Sequence, residues 1–313
     1  MSITKQNIID ARFSISEHIV RTPVLRFSYI DGLCGCNVFF KCENFQHTGS
    51  FKYRAAINAI KSIPSEFKKR GVITHSSGNF AHALSKASTQ LKIPSYIVMP
   101  SDTPKFKKDA VKLYTNNIIE SKSTLKDRIF TANKIIKEKK LFFIHPSNNM
   151  DVILGNSSCG FELIEDYPDL DYVFSPIGGG GLIAGTALAI NNFSERCEVI
   201  GVEPSNVDDA YRSLISGKIE VNETTNTIAD GLRTNLGTLN FPIIQKRVKE
   251  IILVSENEIL DSLKMIINNL KLVVEPSSSV VLAALLKNKS RFKNKNIGLI
   301  MCGGNIDFSN LKF

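Results

Sequence analysis

The chain has 313 residues, 43% of them apolar and 22% charged, which is the profile of an ordinary soluble globular protein with room for one large or two modest domains. Its formal charge of +9 raises the question of nucleic acid. The lysines are scattered, however, with short clusters such as Lys68-Lys69-Arg70 and Lys137-Glu138-Lys139-Lys140 and no basic stripe interleaved with aromatics, so a nucleic-acid partner is not expected.

The N-terminus, Met1 to Gln6, lacks the apolar core of a secretory signal, and no stretch is long and apolar enough to span a membrane. The six cysteines (34, 36, 42, 159, 197 and 302) show neither zinc spacing with histidines nor a compact disulfide framework. Together these features predict a cytoplasmic location. Cys34-Gly35-Cys36 reads as a turn with two incidental thiols.

Strand-like runs alternate with helical patterns throughout, as in a doubly wound α/β protein. Val38-Phe39-Phe40 reads as a strand, and Lys52 to Lys61 as a helix. Val72 to Thr74 is a strand feeding a glycine turn and then a helix, roughly Phe80 to Leu91. Ser95 to Met99, Asn117 to Glu120 and Leu141 to Ile144 complete a four-stranded unit. Tyr172 to Ser175, Val199 to Val202, Ile251 to Val254 and Ile297 to Met301 form a second series of strands. Ser255 with Glu258 three residues on is a capping box that sets the start of a helix.

Two segments carry chemistry. Lys52, in Ser50-Phe51-Lys52, offers an amine that can condense with an aldehyde, provided that it is desolvated or bonded rather than left protonated. Gly178 to Gly181 lie between the strand Tyr172 to Ser175 and a helix, Leu182 to Ile190. At such a place backbone N–H groups and a helix N-terminus bind a dianionic phosphate, and side chains would block the approach. The run is neither a Walker loop nor a dinucleotide fingerprint. An aldehyde-binding lysine together with a phosphate cup is what pyridoxal phosphate requires. Ser76-Ser77-Gly78-Asn79 sits at a helix start, where it can serve as an ordinary cap or bind a carboxylate with convergent donors. Those two readings use the same atoms and stay open at this point.

These segments resemble the serine racemase and serine/threonine dehydratase family of fold-type II pyridoxal-phosphate enzymes. The resemblance rests on Ser50-Phe51-Lys52-Tyr53-Arg54-Ala55-Ala56, Thr74 to Asn79, Pro176 to Gly181 and Cys302-Gly303-Gly304-Asn305, in that order, and runs from about Arg21 to the end. It implies a tryptophan synthase β-like fold of two doubly wound domains with the active site in the cleft between them. Residues 1–70 plus 149–313 would form the large cofactor-binding domain and residues 71–148 a small inserted one. A further C-terminal regulatory domain is not expected.

The resemblance also assigns roles. Lys52, Phe51, Asn79, Gly178, Gly179, Gly180, Gly181, Gly231 and Cys302 would contact the cofactor, with Cys302 toward the pyridine nitrogen. Ser76, Ser77, Gly78, Asn79 and Arg128 would bind substrate. Lys52 and Ser77 would be the two acid/base groups on opposite faces of the substrate carbon, since racemases carry serine at the Ser77 position where typical dehydratases carry alanine. Some β-hydroxyaspartate dehydratases carry this serine as well. Glu203 and Asp209 with the Val207 carbonyl match the magnesium-type cation loop of serine racemases, a set of hard oxygen ligands. Phe80, where histidine is usual, and Ser147, where asparagine is usual, depart from the pattern.

The expected activity is dehydration and deamination of serine or threonine to a 2-oxo acid and ammonia. Racemisation, or dehydration of threo-3-hydroxyaspartate, is the alternative. The expected partners are a small amino-acid substrate and a second copy of the chain in a homodimer. A non-catalytic sensor that kept the fold, and β-replacement chemistry, are the remaining rivals.

Overall fold

The computed structural model describes residues 3–307. Ten strands are β1 (Val24–Leu25), β2 (Asn37–Cys42), β3 (Val72–His75), β4 (Ser95–Pro100), β5 (Ile118–Ser121), β6 (Phe142–Phe143), β7 (Tyr172–Pro176), β8 (Glu198–Pro204), β9 (Val248–Val254) and β10 (Asn296–Met301). Most strands run a residue or two past the segments expected from sequence, whereas β6 keeps only the middle of its own. The helix Lys52–Lys61 and the Ser255–Glu258 capping box appear as expected.

One sheet has six strands in the order β1-β2-β10-β7-β8-β9, and the other has four in the order β5-β4-β3-β6. Apart from the antiparallel β1–β2 pair, every pairing is parallel. Parallel strands covered on both faces read as continuous apolar runs, and β10 is one. Ile297, Leu299 and Met301 enter one core, and Ile300 with Cys302 the other. The second core is closed by helices Met150–Asp166 and Gly181–Phe193, which approach closely because Gly185 and Gly160 face the partner backbone.

Helix Lys52–Lys61 packs its apolar face with Val72, Phe80, Leu84 and Ile97 of the four-stranded unit. It is also pinned to the other unit. The fully buried Arg54 donates to Glu43 (2.7 Å) and Glu162 (2.7 Å), and Lys41 donates to Glu162 (2.6 Å). Removing one member of such a buried quartet strands a charge and costs about 3–5 kcal/mol.

Strand order then determines where a ligand can sit. β7, β8 and β9 march outward in one direction, while β10 returns to the other side of β7. In the second sheet β3, β4 and β5 march outward and β6 returns to the other side of β3. Crevices open at such reversals, beyond the carboxyl ends of the strands. One crevice is bordered by the segments after β7 and β10, which are Gly178–Gly181 and Cys302-Gly303. The other is bordered by the segments after β3 and β6, which are Ser76–Asn79 and His145–Ser147.

Candidate active site

The lysine loop is fastened to the end of β10 by backbone bonds. Phe51 N–H donates to Cys302 O (3.0 Å), Gly304 N–H to Gly49 O (2.9 Å) and Glu275 N–H to Gly303 O (3.0 Å). This fixes Lys52 at the start of its helix. Its amine donates to the Pro146 carbonyl (2.9 Å), in the segment following β6. Burial lowers the amine pKa to about 8, partly countered by Cys302 and Glu275. Free base is therefore available near neutral pH, as an amine nucleophile or proton acceptor requires.

Cys302 is buried, its Sγ 3.3 Å from Ser278 Oγ, and Ser278 is in turn anchored to Gly303. Burial raises the thiol pKa, so the group stays neutral. At 4.0 Å lies the carboxyl of Glu275, only 3% exposed, with its pKa raised to about 7 by burial and by Asp230. Both Glu275 oxygens accept from Asn79 Nδ2 (3.1 and 3.0 Å). Asn305 Nδ2 donates to Asn79 Oδ1 (2.9 Å) and to Thr48 O (2.7 Å). Asn79 thus ties the segment after β3 to both Glu275 and the segment after β10.

The glycine run is a cradle whose walls leave no space for side chains. A Cβ at Gly179 would stand 2.4 Å from Ser147 Oγ, and one at Gly178 would stand 2.9 Å from Gly231 O. Gly180 has φ +83°, a left-handed conformation that glycine adopts without strain. Gly178, Gly179 and Gly180 donate no backbone hydrogen bond to the described residues, and Asn240 Nδ2 holds the Gly179 carbonyl. Free N–H groups at the mouth of the 13-residue helix Gly181–Phe193 suit a phosphate. The residues present therefore fit pyridoxal phosphate: a desolvated amine, a row of free amides and a neutral thiol.

Ser76, Ser77 and Gly78 precede helix Asn79–Gln90, which Gly78 caps without a side-chain bond, so the serine hydroxyls are not spent on capping. Ser77 Oγ makes no hydrogen bond among the described residues, while Ser76 Oγ accepts weakly from Gly78 N–H (3.4 Å). Arg128 lies on helix Leu125–Lys139, with its Nε buried and without a hydrogen-bond partner among the described residues. It faces His75, whose pKa falls to about 4 through burial and that nearby charge. A cavity of about 200 Å³ lies between this helix and His75, Phe143 and His145.

The Glu203 and Asp209 carboxylates and Val207 form a separate cluster at the end of β8 and in the segment that follows it. Glu203 accepts from Ala210 and Tyr211 N–H, and Asp209 from Asn222 Nδ2 and Leu236 N–H. Burial raises both pKa values, Asp209 to about 6, and Glu203 is raised further by Asp209. The described residues contain no group of three His, Cys, Asp or Glu side chains that could hold a metal, so the third ligand here would have to be the Val207 carbonyl.

Sequence reasoning missed Glu275, Ser278, Pro146 and Asn240. Only Glu275 left a signal: a lone acid directly after the apolar run Leu272-Val273-Val274 and directly before a proline. Pro146 acts through its backbone and carries none.

Known proteins resemble this chain over nearly its whole length. The family model described as "Pyridoxal-phosphate dependent enzyme" matches residues 15–303. The chain is 41% identical to a serine racemase of Dictyostelium discoideum, covering 99% of this chain and 97% of that protein. It is 42% identical to a beta-hydroxyaspartate dehydratase of Paracoccus denitrificans, covering 98% of each. Among solved structures, maize serine racemase superposes with a TM-score of 0.96 at 38% identity, covering 99% of this chain and 95% of that one. With a buried amine and a glycine cradle in place and a family match across nearly the whole chain, this protein belongs to the pyridoxal-phosphate dependent enzymes.

Proposed function

We propose that the protein is an ammonia-lyase that dehydrates and deaminates a small β-hydroxy amino acid, serine or threonine, to a 2-oxo acid and ammonia, with racemisation as a side reaction. The observation that carries this is the Lys52 amine, buried with its pKa lowered to about 8 and bonded to the Pro146 carbonyl across the crevice where the two sheet units meet. Lys52, Phe51, Asn79, Gly178 to Gly181, Gly231 and Cys302 would hold the cofactor. When bound, it supplies an aldehyde for the amine and an electron sink beside the substrate Cα.

The chain's own groups do the rest. Lys52 removes the Cα proton as general base. Ser76 to Asn79, at the N-terminus of a helix, offer the substrate carboxylate hydroxyl and N–H donors. The Cys302 thiol, kept neutral by burial, would place no charge beside the bound group. Ser77, whose hydroxyl has no partner among the described residues, can return a proton to Cα, and this is the step that separates racemisation from elimination.

The test is L-serine in heavy water, read by proton NMR and chiral analysis. Pyruvate and ammonia are expected, with α-deuterated D-serine as the minor product. No exchange at Cα rejects serine. Borohydride reduction of the loaded enzyme followed by peptide mass analysis should leave the cofactor on the Lys52 peptide.

A second reading is a threo-3-hydroxyaspartate dehydratase. It is favoured by the buried, unpartnered Nε of Arg128, an arginine free to take a second carboxylate, and by the 42% identical dehydratase. A higher kcat/KM on that substrate than on serine, lost in Arg128→Met, would establish it.

We extend the proposal in four ways. Residues 71–148 form the small domain, in keeping with a four-stranded sheet built wholly from β3 to β6. Glu203, Asp209 and the Val207 carbonyl take a magnesium-type cation, which would relieve the repulsion between two buried carboxylates, and added magnesium should raise Tm. The chain pairs as a homodimer, for which Phe13, 82% exposed on helix Lys5–Ile15, supplies apolar surface; sedimentation decides. A cytoplasmic location suits six buried free thiols.

A further inference from the structure

Helix Lys105–Lys112 belongs to the four-stranded unit, and the ion pairs of Lys105 and Lys108 stay within that unit, with Asp109 and Glu120. Lys107 does not follow them. It reaches across to Asp230, in the turn Asp230–Leu232 of the other unit. That turn lies between the main parts of the site. Gly231 N–H donates to Ser277 Oγ (3.0 Å), and Gly231 O forms the wall that excludes a side chain at Gly178. A Cβ on Gly231 would stand 3.4 Å from Glu275 Oε1.

We propose that Lys107 and Asp230 are positioning residues, an ionic clasp between the two sheet units that closes the cleft over Lys52 and aligns the Asn79–Glu275 contact. The pair suits a clasp that must also open. Its side chains are 21% and 39% exposed, and ion pairs this open shift an equilibrium by about fivefold or less. They bias closure without locking it.

Closure and charge are linked through Glu275. The charged and titratable groups facing that carboxyl are Lys52 from its helix, Cys302 from the end of β10, Asp230 from the turn and Lys107 from the opposite unit. Asn79 Nδ2 and the Asn305 backbone N–H also bond it. Asp230 favours the protonated carboxyl, and Lys107 opposes it. Opening the clasp removes Lys107 and leaves Asp230 uncompensated, so Glu275 holds its proton to higher pH in the open form.

The test has two arms, and only the second rests on the proposed lyase reading. In the first, amide hydrogen exchange is followed in the full-length, cofactor-loaded protein, in Lys107→Asp, in Asp230→Lys and in the double exchange of the two. Each single variant should speed exchange severalfold in residues 105–112 and 228–234, and the double variant should restore it. Unchanged singles, or a double no better than either, overturn the clasp. In the second arm, steady-state kinetics with L-serine should show KM raised about three- to fivefold and kcat nearly unchanged in Lys107→Met and in Asp230→Asn. The titration near pH 7 should move up in Lys107→Met and down in Asp230→Asn. A purely structural contact would move both the same way or neither, and that result overturns the electrostatic link. An absence of turnover on any amino acid defeats the lyase reading while the exchange arm still decides the clasp.

Discussion

The crevice of the six-stranded sheet and that of the four-stranded sheet arise from the same topological reversal but are finished differently. Around β10 the backbone is bonded to itself: Phe51 to Cys302, Gly49 to Gly304 and Gly303 to Glu275, with Ser278 holding Gly303 at both its N–H and C=O. After β3 the chain is held more lightly. Ser76 N–H bonds Val98 O, and the Ser77 hydroxyl has no partner among the described residues. The two sides differ in charge as well, since residues 71–148 hold 13 lysines and arginines against five acidic residues, close to the whole net charge of the chain. A bonded frame suits a cofactor that must be held in one pose. Serine hydroxyls and a positive surface suit an anionic substrate that arrives and leaves. Variants on the first side should therefore affect cofactor and turnover together, and variants on the second should redirect the reaction.

The largest effect is expected at Lys52. Lys52→Ala should lower kcat by about a thousandfold or more, because nucleophile and base vanish together. Its apo form should be at least as stable as wild type at pH 7. An amine whose pKa is depressed from 10.5 to about 8 on folding costs stability that builds up as pH falls between those two values and is complete below the lower one, and alanine removes the cost. Thermal melts at pH 7 and pH 9 check the sign.

Next, Gly179→Ala should weaken cofactor binding by about 10- to 100-fold, since its Cβ would meet Ser147 Oγ at 2.4 Å. Fluorescence titration of the apo protein with the cofactor measures this. Ser77→Ala belongs to the second side and should abolish α-deuterated D-serine while changing pyruvate formation by less than about fivefold. Equal loss of both products would make Ser77 a binding group instead.

Glu275→Gln should act through pH. The folded carboxyl is raised to about 7, so its stabilising contribution is complete below about pH 4.5 and is lost as pH rises toward and through 7. The glutamine variant should gain on wild type by on the order of 2–3 kcal/mol between pH 5 and pH 8, measured by urea denaturation. The smallest change is expected for Cys302→Ser, below about threefold in kcat, because one neutral group replaces another.

Much of this was legible from sequence, and for local reasons. Periodicity and glycine punctuation marked nearly all the strands, and Ser50-Phe51-Lys52 and Gly178 to Gly181 announced an amine and a phosphate cradle. Such signals are written in adjacent residues. Glu275 was legible only as a lone acid directly after an apolar run. The Pro146 carbonyl was not legible at all and Gly231 was reached only through the family resemblance, since a backbone atom carries no mark of what approaches it.

The amino-acid sequence alone determined the α/β alternation, the cofactor class and the lysine proposed to bind it, because helix capping, apolar runs and glycine conformations depend on neighbours along the chain. Only the tertiary structure decided that Asn79 meets Glu275 and that Lys107 reaches Asp230. Those contacts join residues between about 120 and 200 positions apart, brought together by where two parallel sheets reverse their strand order.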